Sequence, residues 1–423
     1  MATILPIHTP QPGDERRWAA GVLVSANCRR VSAALVGTAG QGLEAHFYLA
    51  GAAVTDVPGE TVSRFLSLAR SKSCPTDAVA LLRAELAEIQ AGTLQNLFAG
   101  LSVDPGLVLA VGVHDPGFWG FDRIGSGGYL SLCDAARLAE ATGLNVIDAF
   151  PARDLAQCGQ GGPVTALAQW ALLKNPRQNR VLVDLGQTVR MTYLPATLEG
   201  NAALRVLCFD VGPGMGLPDQ LAQRLTAGEH RFDPGGRMAV QGRRISELID
   251  HWLSDPYFDR PLPRWHPQGV RPERFLTDAL QMAVKSGWSI RDLLCSATHF
   301  IAETVSMGLR RHLPDDARVD QIVVTGGGQQ NGMLLAEIGH RAGMPLARMG
   351  ELDIMSGAFD PACIAVLAFF YLDQVPANAT AITKADAPRV LGRLTPGTPE
   401  NWQRLLADSG GIALPARPVR SVL

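Results

Sequence analysis

Apolar positions along the chain follow two rhythms: short runs rich in β-branched residues, and longer stripes at helical spacing. Runs at 19–24, 32–35, 107–113 and 145–147 predict strands of one sheet, as does the alternation around His46-Phe47-Tyr48-Leu49. Residues 76–99 carry Ala80, Leu81, Ala84, Leu86, Ile89 and Leu97 on an approximate stripe and predict a long helix. Residues 131–142 predict another, stopped at Gly143. A second series begins near Ala149. Its expected strands are 180–185, 189–194, 204–210 and 321–325. Its expected helices are 164–172, 216–225, 243–253, 273–284, 290–312 and 332–342. The window 363–372 is too short to span a bilayer and reads as a buried helix. From 376 onward the chain is rich in Pro, Ala and Thr and is predicted to wrap the surface.

Strands separated by helices in two successive series predict an α/β protein with two sheets. The expected domains are 1–148 plus 376–423, and 149–375. With 47% hydrophobic and 18% charged residues, a large core can form. The formal net charge of −2 gives no electrostatic case for nucleic acid or an anionic membrane. Seven cysteines lie scattered with no C-x-x-C spacing, which predicts free thiols in a reducing compartment rather than a zinc site. No basic stretch followed by a long apolar run opens the chain, so no signal peptide is expected and the cytoplasm is the default.

Three motifs can carry chemistry. Ile322-Val323-Val324-Thr325 runs into Gly326-Gly327-Gly328, then Asn331 and a helix. Glycines between a strand and a helix let backbone approach a ligand closely, and the helix start favours an anion. The stretch fits neither G-x-G-x-x-G nor the P-loop pattern. Asp210-Val211-Gly212-Pro213-Gly214 ends another apolar run and could offer N–H groups to phosphate and a carboxylate to a metal. Asp154 precedes Gly159-Gln160-Gly161-Gly162-Pro163 and a helix, where it could take a proton from water.

In their order these motifs resemble the anhydro-N-acetylmuramic acid kinases, of the actin and hexokinase fold superfamily. The resemblance runs from about residue 20 to about residue 396. It also takes in 134–143, Asp233-Pro234-Gly235-Gly236, Asp255-Pro256-Tyr257-Phe258 and Asp292-Leu293-Leu294. It implies a two-domain actin-like (ribonuclease H-like) fold with the site in the cleft between domains. The implied reaction opens the 1,6-anhydro ring of anhydro-N-acetylmuramic acid with water and phosphorylates O6 with ATP and Mg²⁺, recycling cell-wall fragments. Asp154 then matches the general base. Asp210, Gly212, Pro213, Gly214, Gly326, Gly327, Gly328 and Asn331 match the nucleotide and phosphate positions. His114, Gln160 and Gly161 match the sugar side. Asp210 is the metal candidate, with Asp219 a second carboxylate. The expected partners are an amino sugar and a nucleotide, with a homodimer left open.

Several positions depart from the family pattern. Ser25-Ala26-Asn27-Cys28-Arg29-Arg30-Val31-Ser32 replaces a hairpin of Gly-Thr-Ser-x-Asp-Gly-x-Asp type, which holds the γ-phosphate and supports Mg²⁺. Arg29 stands where the first Asp belongs; it would repel a metal, though it could pair with phosphate directly. Arg29-Arg30 suits a solvated hairpin tip well, and that reading is favoured. His114-Asp115-Pro116-Gly117 keeps only the histidine of His-Gly-Gln-Thr. Residues 184–190, ending in Arg190, replace Asn-Ile-Gly-Gly-Ile-Ala-Asn. Residues 264–269 replace Lys-Ser-Thr-Gly-Arg-Glu. These losses leave a second expectation open, a pseudokinase that binds nucleotide or sugar without turnover, and a third, an enzyme of another substrate class.

Overall fold

The computed structural model describes residues 3–6, 17–71, 73–121, 127–198, 201–352 and 354–410. Most of the segment on which the leader expectation rests, and the tail beyond 410, lie outside them. In chain order the strands are β1 (Thr3–Pro6), β2 (Arg17–Val24), β3 (Arg30–Ala39), β4 (His46–Asp56), β5 (Val108–His114), β6 (Phe118–Phe121) and β7 (Gly127–Leu130). They continue as β8 (Val146–Asp148), β9 (Arg180–Leu185), β10 (Thr188–Leu194), β11 (Leu207–Pro213), β12 (Gln321–Thr325), β13 (Leu346–Arg348) and β14 (Arg393–Thr395).

One sheet has the order β1-β4-β3-β2-β5-β8-β14 and the other β11-β10-β9-β12-β13, with β6 and β7 a separate hairpin. Five strands of each share one plan. Three antiparallel strands form a meander, and two parallel strands follow beside its first member. This duplicated ribonuclease H-like plan is the two-domain actin-like α/β fold that the sequence predicts.

Alternation along the strands sets the layers. Ala20, Val22, Leu35 and Val111 face one core with the helix Thr76–Leu101, while Ala19, Ala34, Val36 and Ala110 face another. The second core also receives Leu182, Leu194 and Val323 from the other sheet. Val181, Val183 and Val324 point away, toward the helices Ile290–Arg311 and Gly332–Ala342. The two sheets therefore share one central apolar layer.

The helix Ser356–Leu372 fills that layer. It is apolar on nearly every side, as a helix buried between layers must be. It packs on β2, β3 and β5, so it lies against the first sheet although it falls within the 149–375 segment. Two glycines permit the contact. A Cβ at Gly21 would stand 2.0 Å from the Pro361 carbonyl oxygen, and one at Gly112 would stand 2.6 Å from that of Ile364.

Three local differences from the sequence expectation have physical causes. The third strand of the second sheet begins at Leu207, after a short 3₁₀ turn at Ala202–Arg205, and runs through Gly212 to Pro213. It is an edge strand, where proline removes no needed ladder bond. The tail from 376 does more than wrap the surface. It adds β14 to the first sheet, forms a helix at Pro399–Ser409 and buries Leu391 and Leu405. The turn at Asp115 leads into β6 and β7, for which the apolar pattern gave no signal. Among the described residues, no helix is long and apolar enough to cross a membrane.

Candidate functional site

One cation stands within the apolar strand β10. Arg190 lies opposite Asp184 on β9 and Asp210 on β11. Its Nε donates to Asp210 Oδ1 at 2.9 Å, and Asp210 is almost completely buried. The other carboxylate oxygen accepts the His266 N–H at 3.3 Å. The Tyr257 hydroxyl and Arg264 Nε both donate to the Asp210 carbonyl, at 3.0 and 2.9 Å. Burial alone would favour a neutral Arg190, but Asp210, Cys208 and Asp184 outweigh it and hold the guanidinium firmly charged. Burial raises the Asp184 carboxyl, with Arg190 opposing and Asp210 adding.

Two groups from the first sheet's side reach the same row. His114 ends β5. Burial holds its ring below the usual histidine value, Asp115 opposing and Arg190 adding, and its Nδ1 is buried with no partner among the described residues. Asp360, near the start of Ser356–Leu372, is open to water yet walled in by protein. That enclosure and the charge of Asp184 push its carboxyl up to about 7, against the pull of Arg190.

This donor set does not fit Mg²⁺. Asp210 is committed to Arg190, and the same guanidinium lies opposite Asp184, so a fixed positive charge already stands beside both carboxylates. Burial pushes the second carboxylate, Asp219, up to about 7, with a hydrogen bond from Gln187 opposing. Among the described residues, no group of three or more His, Cys, Asp or Glu side chains could hold a metal ion. The metal role expected of Asp210 therefore meets an internal guanidinium.

The glycine turns fit a nucleotide better. Gly326 has φ +79°, and a Cβ there would meet Asp184 Oδ1 at 2.4 Å. Gly328 packs as tightly on Leu185, while a Cβ at Gly327 would meet nothing within 4 Å. The outer glycines thus press the turn against the β9–β10 hairpin, and the middle one opens onto free space. Asn331 follows, its side chain accepting from Leu334 N at 3.0 Å to cap Gly332–Ala342. The Gly212-Pro213-Gly214 segment behaves differently from the phosphate cradle expected of it. The N–H groups of Gly214 and Met215 donate to the carbonyls of Gln187 and Gly186 at 2.9 and 2.7 Å, so this segment clasps the β9–β10 turn from behind.

The sugar side centres on Asp154, in the short helix Phe150–Leu155. Its carboxylate is fully buried and accepts from Thr383 Oγ1 at 2.7 Å, Asn378 Nδ2 at 3.1 Å and Gly161 N at 2.8 Å. Gln160 N donates to the Thr383 carbonyl at 2.9 Å. In this conformation Asp154 pins the 159–163 loop to the C-terminal segment. Aromatic side chains cover that loop. Trp119 lies over Gly161 and Trp265 over Gly162, their ring centroids 5.6 Å apart. Asp115, at the position of a family glycine, is buried under five donors: Gly117 N, Tyr129 Oη, Ser131 Oγ, Leu132 N and Cys133 N. It fixes the β6–β7 hairpin that carries Trp119.

Sequence reasoning singled out neither Arg190 nor Asp360 as site residues. The signal for Arg190 was present, since a lone arginine amid Val189 and Met191 needs a partner on a neighbouring strand. Asp360 carried no such signal, because its position depends on how Ser356–Leu372 docks.

The family model described as "Anhydro-N-acetylmuramic acid kinase" matches residues 21–397. A curated relative of that name from Acaryochloris marina is 29% identical over 377 residues, covering 88% of this chain and 98% of the relative. Another from Neisseria meningitidis serogroup B is 28% identical over 344 residues, covering 81% and 89%. Among solved structures, a ROK hexokinase from Thermus thermophilus matches with TM-score 0.34 at 15% identity, over 83% of this chain and 99% of that one.

Proposed function

The chain belongs to the anhydro-N-acetylmuramic acid kinase family, and on that premise we propose that its cleft binds ATP and a 1,6-anhydro amino sugar and phosphorylates the sugar at O6. Water adds to C1, the C1–O6 bond breaks, and O6 takes the terminal phosphoryl group as its bond to ADP breaks. ATP supplies the phosphoryl group. Gly326–Gly328 receives the nucleotide, and Trp119, Trp265 and the 159–163 loop receive the sugar. Asp154 takes the water's proton once the loop lifts from its carboxylate. The cytoplasm, which supplies ATP and suits seven free thiols, is the compartment proposed.

The observation that carries this reading is the family match over residues 21–397, which takes in strands of both sheets. Phosphoryl transfer is mostly positioning plus stabilisation of charge on the phosphate oxygens. Arg190 offers that charge at the cleft floor, where a metal does not fit. The test is mass spectrometry after incubation with ATP and 1,6-anhydro-N-acetylmuramic acid. The expected product is heavier than the sugar by one water and one phosphoryl unit. Asp154→Asn should cut turnover by about 10² or more below its melting temperature. A loss of activity that only tracks its loss of stability would make Asp154 a loop anchor and not the base.

A further inference from the structure

We propose that Arg29, Arg30 and Arg231 form a clamp for the terminal phosphates of a nucleotide, bridging the cleft without a divalent cation. The proposal rests on the nucleotide reading above. The three arginines line one cavity of about 340 Å³ with Asp56 and Val57. That volume is near the low end for small-ligand sites. Arg29 and Arg30 come from the tip between β2 and β3, and Arg231 comes from the other lobe, after the helix Gly216–Leu225. All three side chains are exposed. Among the described residues, none of the three makes an ion pair, and the cavity holds a single carboxylate, Asp56.

Both sides of the cavity are held by their own backbone. At the tip, Cys28 takes φ +56° and is fully buried in the first sheet's outer core. Ser25 Oγ accepts from Arg29 N and Arg30 N at 3.0 Å each, and Asn27 Oδ1 accepts from Arg29 N at 3.2 Å. Val57 N donates to the Arg29 carbonyl at 2.9 Å. The N–H groups of both arginines are thereby spent inside the hairpin, so an anion here is gripped by guanidinium forks. Across the gap, Gln223 Nε2 donates to the Arg231 carbonyl at 3.2 Å. Two residues on, buried Asp233 accepts from Met238 N and Ala239 N at 2.8 and 2.9 Å. The adjoining turn at Pro234–Gly236 abuts Asn331, since a Cβ at Gly236 would stand 2.2 Å from Asn331 Oδ1. One segment thus touches the nucleotide turn and carries Arg231 into the cavity.

Three guanidiniums from two lobes match a ligand with many anionic oxygens, which a polyphosphate is and a lone carboxylate is not. The same charges disfavour a cation in that space. The test is calorimetry with adenosine, ADP and inorganic tripolyphosphate, in chelator and in excess Mg²⁺. Wild-type protein should bind ADP and tripolyphosphate in chelator, with no gain from Mg²⁺. Arg231→Ala, and separately Arg29→Ala with Arg30→Ala, should each weaken both ligands at least about tenfold and leave adenosine unchanged. Exposed arginines can be removed without harm to the fold, and melting curves verify it. ADP binding indifferent to the arginines, or dependent on Mg²⁺, overturns the clamp and leaves the nucleotide reading standing. Arginine-dependent tripolyphosphate binding, with adenosine and ADP no better, keeps a polyanion clamp and overturns the nucleotide reading.

Discussion

Arg190 holds its charge because Asp210 and Asp184 flank it, and buried Asp210 accepts its Nε–H at 2.9 Å. Breaking such a pair leaves one charge buried alone, at a cost of about 3 kcal/mol. Arg190→Asn should lose about that much stability in denaturant titration. Asp219 gives a second test at this scale. Its folded value of about 7 lies above the ordinary 3.8, so the folded state keeps a proton that the unfolded chain releases between about pH 4 and pH 7. Stability therefore falls as pH rises through that window. Asp219→Asn removes the effect, so its melting temperature should exceed wild type by more at pH 8 than at pH 5. At this scale the sequence was only partly legible. Asp210 and the triple glycine stood out as motifs. What Asp210 binds depended on a strand register that pairs 190 with 210 across a bulge, which local sequence does not encode.

At the scale of elements, the helix Ser356–Leu372 is the piece on which the site's geometry turns. It places Asp360 beside Arg190's row and closes the layer shared by the two sheets. Its fit needs glycine at 21 and 112, where any Cβ would strike helix backbone. Gly21→Ala should cost about 3 kcal/mol, read as a lower urea midpoint at unchanged slope. An unchanged midpoint would mean that the helix can slide. The long helices and central strands were legible because their periodicity is strong: 76–99 and 290–312 are expected, and Thr76–Leu101 and Ile290–Arg311 are found. Short pieces were not. The hairpin of β6 and β7 is stabilised by Asp115, whose five donors come from residues 117–133, and no periodic pattern announces that knot.

At the scale of the molecule, two sheets of one plan share a central layer. Arg190 lies within the second sheet, paired with Asp210, and Arg29, Arg30 and Arg231 line one cavity. The fold could be read from the sequence because the glycine turns and apolar strands persist. The altered electrostatics became readable only when residues distant in the chain were brought together. The proposed chemistry uses guanidinium charge in place of Mg²⁺. Its most direct measurement is a single-turnover reaction, with enzyme in excess over ATP and 1,6-anhydro-N-acetylmuramic acid, followed by phosphorus NMR in chelator and then in Mg²⁺. Sugar 6-phosphate and ADP should form in equal amounts in chelator. Product formed only with Mg²⁺, or bound ATP that yields no product in either condition, would contradict that chemistry.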